Sequence, residues 1–234
     1  MQARKAVIAG VAALLVTSTA FGSSTASDNA KVLNKATMVL TELRNAPDNG
    51  IPENIWAKAQ CVVVIPGMKK AGFILGGEYG EGVLSCKRGS TWGAPVFMQL
   101  AKGSAGLQIG VQSTDLVLVV MNRSGVDKLL RNKVTLGADA SVAAGPVGRT
   151  ASAGTDGQMT AEMLSYSRSK GLFAGVDLSG GTLKPDTDAN AAMYGANASA
   201  SDIALGTMRV AMTAEGQAFR SALSQGVRAT TGVK

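Results

Sequence analysis

Several short patterns in this chain hold residues that could do chemistry, and the spacing within each restricts what that chemistry is. Ser167-Arg168-Ser169-Lys170 has the Ser-x-x-Lys form in which a lysine helps activate a serine, but the Ser-Asp-Asn and Lys-Thr-Gly companions of that chemistry do not occur. A polar strand end before a Lys-Gly turn explains the same residues. Asp186, Asp188 and Asn190 have the alternate spacing that opens a calcium loop, yet Ala191 stands where the loop needs glycine and Asn197 where it needs a bidentate carboxylate. An aspartate capping a helix after Pro185 fits better, because it satisfies free backbone N–H groups. Gly76 to Gly82, GGEYGEG, matches neither phosphate-loop spacing and reads as a twisted hairpin. Asp139 is the one acid in KVTLGADASVAAGPVGR, Lys133 to Arg149, and is either an acid working with a nearby Ser or Lys or a structural anchor. The chain has no histidine, which excludes a Ser-His-Asp triad, a Cys-His nucleophile and histidine-ligated zinc. Its two cysteines cannot complete a zinc site alone. These readings remove the commonest hydrolase designs, and no metal and no cofactor is expected.

The basic residues offer more. Lys69-Lys70, Lys87-Arg88, Arg149 and the Arg168/Lys170 pair fall at predicted strand ends or turns, where one rim of a sheet could gather them. Near an anionic lipid surface each would contribute on the order of 1 kcal/mol. The alternative is solvated charge spread around the domain. Aromatic residues make up 4% of the chain and do not interleave with the basic ones, so nucleic acid is not an expected partner.

The elements that must position these residues follow from hydrophobic periodicity. Val32, Leu33, Ala36, Val39, Leu40 and Leu43 line one face of a helix capped by Ser27 or Asp28. A short second helix is predicted from Pro52 to Ala59, with Ile55, Trp56 and Ala59 inward. CVVVIP reads as a buried strand ended by Pro66, AGFILGGEY and GVLSCKR as a glycine-punctuated pair, and Leu116 to Met121 as a central strand. Apolar parity switches between Val96 and Val111, which places a turn or bulge at Gly103 to Gly106. Ser124 caps a short helix through Arg131. The run Lys133 to Arg149 alternates like a half-buried strand of small side chains, which permits close approach by another backbone or a ligand. Met159 to Arg168 and Gly171 to Leu183 form a closing hairpin, with Leu172, Ala174, Val176 and Leu178 on one face. An alanine-rich helical tail interrupted at Gly195, Gly206 and Gly216 follows. The predicted class is α+β: a single domain with one curved, mainly antiparallel sheet and helices at both ends of the sequence.

Within the 234 residues, Arg4 and Lys5 precede an apolar run from Ala6 to Val16, and small residues follow at Ala20, Gly22, Ser24 and Ala26. That order reads as a secretory signal over residues 1–22, with cleavage after Gly22 or as late as Ala26. Removing Arg4 and Lys5 from 23 basic residues leaves 21 against 16 acids, a charge of +5 that favours anionic partners. In an oxidising compartment Cys61 and Cys86 form either a disulfide or two small buried hydrophobes on neighbouring strands.

VVVIPGMKKAGFILGGEYGEGVL, GAPVFMQLAKGSAGLQIGVQSTDLVLVVMN, TLGADASVAAGPVGR and SYSRSKGLFAGVDLSGGTLKPDTDANAAMYG, in this order, closely resemble the SYLF domain family. The resemblance implies a SYLF-like domain over residues 28–195 followed by a C-terminal helical extension over 196–234. It also implies a non-enzymatic, phosphoinositide-like lipid-binding domain whose basic residues contact the head group. Lys69, Lys70, Arg149, Arg168 and Lys170 lie inside the matching blocks and are the candidate contacts, chosen by charge and position. Some family members associate with actin filaments, but secretion makes actin an unlikely partner here. An anionic phospholipid such as phosphatidylglycerol or cardiolipin is the expected target of a secreted or periplasmic, membrane-peripheral protein. The alternative is a structural or partner-binding envelope protein that keeps the fold without lipid activity.

Overall fold

A strand built from Cys61 to Ile65 has no polar alternate, so it must be covered on both faces. The computed structural model, which describes residues 21–45, 50–72, 75–105, 112–147, 160–169 and 172–225, shows that arrangement. The elements in chain order are α1 (Phe21–Arg44), α2 (Glu53–Lys58), β1 (Cys61–Gly72), β2 (Leu75–Arg88), β3 (Thr91–Trp92), β4 (Val96–Ala105) and β5 (Gln112–Val120). Then come α3 (Arg123–Leu129), β6 (Val134–Thr135), β7 (Val142–Ala144), β8 (Met163–Ser169), β9 (Leu172–Gly175), β10 (Thr182–Pro185), α4 (Thr187–Tyr194), α5 (Ala200–Leu205) and α6 (Ala214–Ser224). The strands form one sheet in the order β6-β10-β4-β2-β1-β5-β8-β7, with β3 paired to β2 and β9 to β8. The β7–β8 pairing is parallel and the other strand pairings are antiparallel, so the molecule is the expected α+β domain with a curved, mainly antiparallel sheet.

Alternate residues feed two cores. One face carries Val62, Val64, Val83, Phe97, Val117, Val119 and Tyr166 under Leu33, Val39, Leu40 and Leu43 of α1, with Ile55, Trp56, Ala189 and Phe219 from α2, α4 and α6. The other carries Val63, Ile65, Leu84, Met98, Leu116 and Leu118 under Val126 and Leu129 of α3, Leu178, and Ile203 and Ala204 of α5.

The structure departs from the periodicity reading in particular places. α1 is already helical at Phe21, the first described residue, so neither Ser27 nor Asp28 caps it, and the two cleavage positions fall inside it. β1 does not end at Pro66. Ile65 pairs with Leu116 and Met68 with Thr114, so Pro66 and Gly67 together oppose Asp115 in a bulge, which is where a sheet tolerates proline. β2 is one strand rather than two: a Cβ at Gly80 would meet the Ile65 side chain and one at Gly82 the Val64 carbonyl, so these glycines admit a neighbour and do not mark turns. β4 runs on to Ala105, and the rest of the predicted Gly103–Gly106 turn lies outside the described residues. Asn122, not Ser124, caps α3 by accepting the Gly125 N–H.

The run Lys133 to Arg149 is not one strand. It breaks at Gly137, which has φ 84°, and Asp139 folds back to accept the Thr135 N–H at 2.7 Å. Beyond the break, Gly145 lies so close to the Tyr166 ring that a Cβ would fall on it, the close backbone approach that small side chains allow. The closing hairpin is only β8–β9. β10 instead crosses to pair with β4 and β6, and it is Phe173 rather than Leu172 that enters the core. Gly195 and Gly206, with φ of 98° and 74°, end α4 and α5 as predicted; Gly216 lies in the first turn of α6 and interrupts nothing. Cys61 and Cys86 are direct partners across β1–β2 and are joined by a disulfide. Among the described residues no helix is long and apolar enough to cross a membrane.

Candidate functional site

Of the five basic candidates, Lys69, Lys70 and Arg168 are described; Arg149 and Lys170 lie outside the described residues. The sheet brings the three to one end. Lys69 and Lys70 precede the end of β1, where they pair with Ser113 and Gln112 of β5, and Arg168 on β8 pairs with Asp115 of β5. Lys87 and Arg88 lie at the far end of the sheet, beyond the disulfide, and belong to no common rim. Lys87 donates to the Trp56 and Ala57 carbonyls at the end of α2 and lies 5.2 Å from the Trp92 ring centre, and burial lowers its pKa.

The bulge at Pro66-Gly67 decides which way the lysines point. Before it, Val62 and Val64 face α1; after it, parity inverts, so Met68 joins the opposite core and Lys69 takes the α1 side. Lys69 is exposed beside Tyr79, its direct partner on β2 and itself 46% exposed. The Tyr79 hydroxyl donates to Glu81 at 3.2 Å, and partial burial together with that carboxylate pushes the phenol up to about 12. Lys70, on the other face, is ion-paired to Glu78 at 3.1 Å. Leu172, 64% exposed, stands at the start of β9 opposite Ser169, so the same end carries exposed apolar bulk as well as charge.

Arg168 is a different kind of residue from Lys69. Its Nε and Nη2 donate to Asp115 Oδ2 at 2.8 and 2.6 Å, it is also ion-paired to Glu42 of α1, and it lies 5.8 Å from the Phe173 ring centre. With two carboxylates on one guanidinium, it joins α1 to the sheet rather than waiting for a ligand.

The calcium pattern dissolves into scaffold, whereas of the Ser-x-x-Lys pattern Ser167 lies on β8 opposite Leu116 and Lys170 lies outside the described residues. Asp186 caps α4 by accepting the Ala189 N–H, and Asn190 is consumed by the Phe97 backbone, accepting its N–H and donating to its carbonyl, both at 2.9 Å. Among the described residues no acid, histidine or cysteine cluster could hold a metal ion. The turn carboxylate Asp139 has its pKa lowered by the Thr135 backbone N–H, as an anchor would.

Sequence reasoning passed over three acids. Glu162 is 8% exposed and receives Lys128 Nζ at 2.8 Å, the Ser141 N–H at 2.9 Å and the Ser124 hydroxyl. Asp115 and Glu42 were missed with it. For Asp115 a signal existed: an acid immediately before the apolar run Leu116–Val120, and a Pro-Gly pair in the strand beside it. For Glu42 there was none, since an acid on the polar stripe of a helix is ordinary.

A curled α+β sheet closed by helices on both faces, with charge and apolar side chains gathered at one strand end, defines a class of domain by architecture alone. Comparison with known families narrows it: residues 101–225, more than half of the chain, match the family model described as Ysc84, Las17-binding protein actin regulator. The chain belongs to this Ysc84/SYLF family. It is 35% identical to LAS seventeen-binding protein 3 of Saccharomyces cerevisiae over 166 residues, covering 69% of this chain and 36% of the relative. It is 35% identical to Protein YSC84 of the same yeast over 174 residues, covering 72% and 36%. It is also 32% identical to human SH3 domain-containing YSC84-like protein 1 over 185 residues, covering 78% and 53%. The chain thus spans about a third of the yeast relatives and about half of the human one.

Proposed function

We propose that this protein is a non-enzymatic module that docks on anionic phospholipid surfaces through the sheet end carrying Lys69. The observation that supports it is the exposed Lys69 beside the exposed Tyr79 on the α1 face, with the exposed Leu172 at the same end of the sheet on its other face. A ring with a polar tip and an apolar side chain sit at the depth of lipid head groups while the cation meets phosphate. Lys70 joins them once it exchanges Glu78 for a head group. Arg149 and Lys170 stay in the proposal as charges of the matching blocks; Arg168 enters it as support for α1. The basic-apolar-small order of residues 1–26 and the Cys61–Cys86 disulfide favour an oxidising, extracytoplasmic location.

Co-sedimentation with phosphatidylglycerol vesicles against phosphatidylcholine vesicles tests this. Binding is expected to the anionic vesicles, weakening with salt, and Lys69→Glu is expected to reduce it by more than fivefold. Equal, salt-insensitive binding to both vesicles, or none to either, refutes the reading.

The relatives' names favour a second reading, in which the domain binds a protein. The expectation that actin is an unlikely partner rested on secretion, and the family description pulls against it. Co-sedimentation with filamentous actin decides: pelleting with filaments but not with vesicles replaces the first reading with the second.

A further inference from the structure

We infer that Asp115 is the positioning residue of the docking end, and that helix α1 is wired to it through Arg168. The carboxylate opposes the bulge from β5. Its Oδ1 accepts the Gly67 N–H at 2.8 Å and its Oδ2 accepts both Arg168 donors. Gly67 has φ 61°, a left-handed conformation that a side chain disfavours, so the bulge is held by one glycine and one carboxylate. The extra residue shows in both ladders: between Val64 and Lys69 on β1 there is one residue more than between Val83 and Tyr79 on β2, and one more between Ile65 and Met68 than between Leu116 and Thr114 on β5. Without it, Lys70 and Met68 would take the α1 face and Lys69 the other. Asp115 therefore determines which lysine stands beside Tyr79. Arg168 fixes the carboxylate in turn, and Glu42 holds Arg168 from α1. The side chains of Asp115 and Arg168 are 16% and 22% exposed, and that of Glu42 is 45% exposed, so the outer link is the one solvent reaches.

The chain of contacts runs from helix to guanidinium to carboxylate to bulge to lysine. Loosening α1 at Glu42 relaxes Arg168, then the Gly67 turn, then the aim of Lys69. The consequence for lipid affinity rests on the docking reading; the mechanical coupling does not.

Hydrogen exchange on the full chain reads the coupling directly. Asp115→Asn is expected to speed exchange of the Gly67 amide by tenfold or more, and Glu42→Gln, at an exposed position, by a smaller but clear factor. Asp127→Asn, which removes an acid paired to Arg123 on α3, is expected to leave it unchanged. The second arm uses phosphatidylglycerol vesicles. Lys69→Gln is expected to weaken binding about fivefold in the native background and in Asp127→Asn, but less than twofold in Asp115→Asn, where Lys69 is no longer aimed. A Gly67 amide indifferent to both Asp115→Asn and Glu42→Gln overturns the inference, as does a Lys69→Gln effect of equal size in all three backgrounds. If Asp115→Asn does not fold, Glu42→Gln alone decides the exchange arm. If no variant and no native protein binds vesicles, the docking reading falls while the exchange arm still decides the positioning.

Discussion

At Glu162 two opposing effects act on one carboxyl. Burial alone pushes its pKa up; hydrogen bonds from Lys128, Ser124 and the Ser141 amide, with the Lys128 charge, outweigh burial and bring it from 4.5 down to about 2. A carboxyl with a depressed folded pKa stabilises the fold fully above its unfolded value. That contribution is then lost as pH falls through the folded one. Glu162→Gln is thus expected to destabilise the protein by about 3 kcal/mol at pH 7, measured by urea unfolding, with the gap from the native protein closing between pH 4.5 and pH 2. Gly145 and Tyr166 give a second residue-scale pair. Gly145→Ala drives a methyl into the Tyr166 ring and is expected to lower stability by about 2 kcal/mol. Tyr166→Phe is expected to leave the melting temperature unchanged or raise it, because the buried hydroxyl has no hydrogen-bond partner among the described residues and its removal relieves a desolvation penalty. Of these residues only the small size of Gly145 was legible in the sequence. Glu162 was not, because its partners, Ser124 and Lys128 of α3 and Ser141 just before β7, lie 21 to 38 residues from it along the chain.

At the scale of elements, legibility followed how local the deciding interaction was. The inward face of α1, from Leu33 to Leu43, needs only 3.6-residue spacing, and all five predicted positions from Leu33 onward are buried. The sheet was legible where a continuous apolar run demanded cover on both faces, as in Cys61–Ile65 and Leu116–Val120. It was not legible where a partner strand overrides a breaker, as Asp115 does at Pro66-Gly67, or where a distant strand claims a segment, as β4 claims β10. The docking of α4 is of this second kind. Asn190 takes both backbone groups of Phe97, but the Phe97 carbonyl also accepts the Asp186 N–H, so Asn190→Ala leaves the buried Phe97 N–H without its partner and is expected to destabilise by about 1–3 kcal/mol in urea unfolding. Asn190→Asp keeps an acceptor for the Phe97 N–H but turns a buried carboxylate oxygen on the Phe97 and Asp186 carbonyls, and is expected to cost at least as much as Asn190→Ala.

At the scale of the molecule, the disulfide and the two cores act on different states. Leu118, Ile203 and Phe219 stabilise the folded form by burial, whereas the Cys61–Cys86 bond, spanning a sequence separation of 25, chiefly restricts the unfolded chain. Reduction is expected to lower stability by about 3 kcal/mol with the folded circular dichroism spectrum unchanged. A spectrum that collapses on reduction under native conditions would instead place the bond among the interactions the fold cannot do without. At this scale the placing of Lys69, Lys70 and Arg168 at one end of the sheet was legible from charge and strand ends, but Lys87 and Arg88 were drawn in with them because sequence does not tell the two ends of a sheet apart.

Covering both faces of the sheet has a further effect. With the middle of both faces covered, a partner meets the domain toward the strand ends, where Lys69, Tyr79 and Leu172 stand exposed. Such positions accept replacement while the two cores keep their packing, so one scaffold can be refitted to a new ligand by a handful of changes at the hairpin tips. Stability and specificity are then separately adjustable quantities, and a variant library confined to those three positions should vary widely in what it binds and scarcely at all in where it melts.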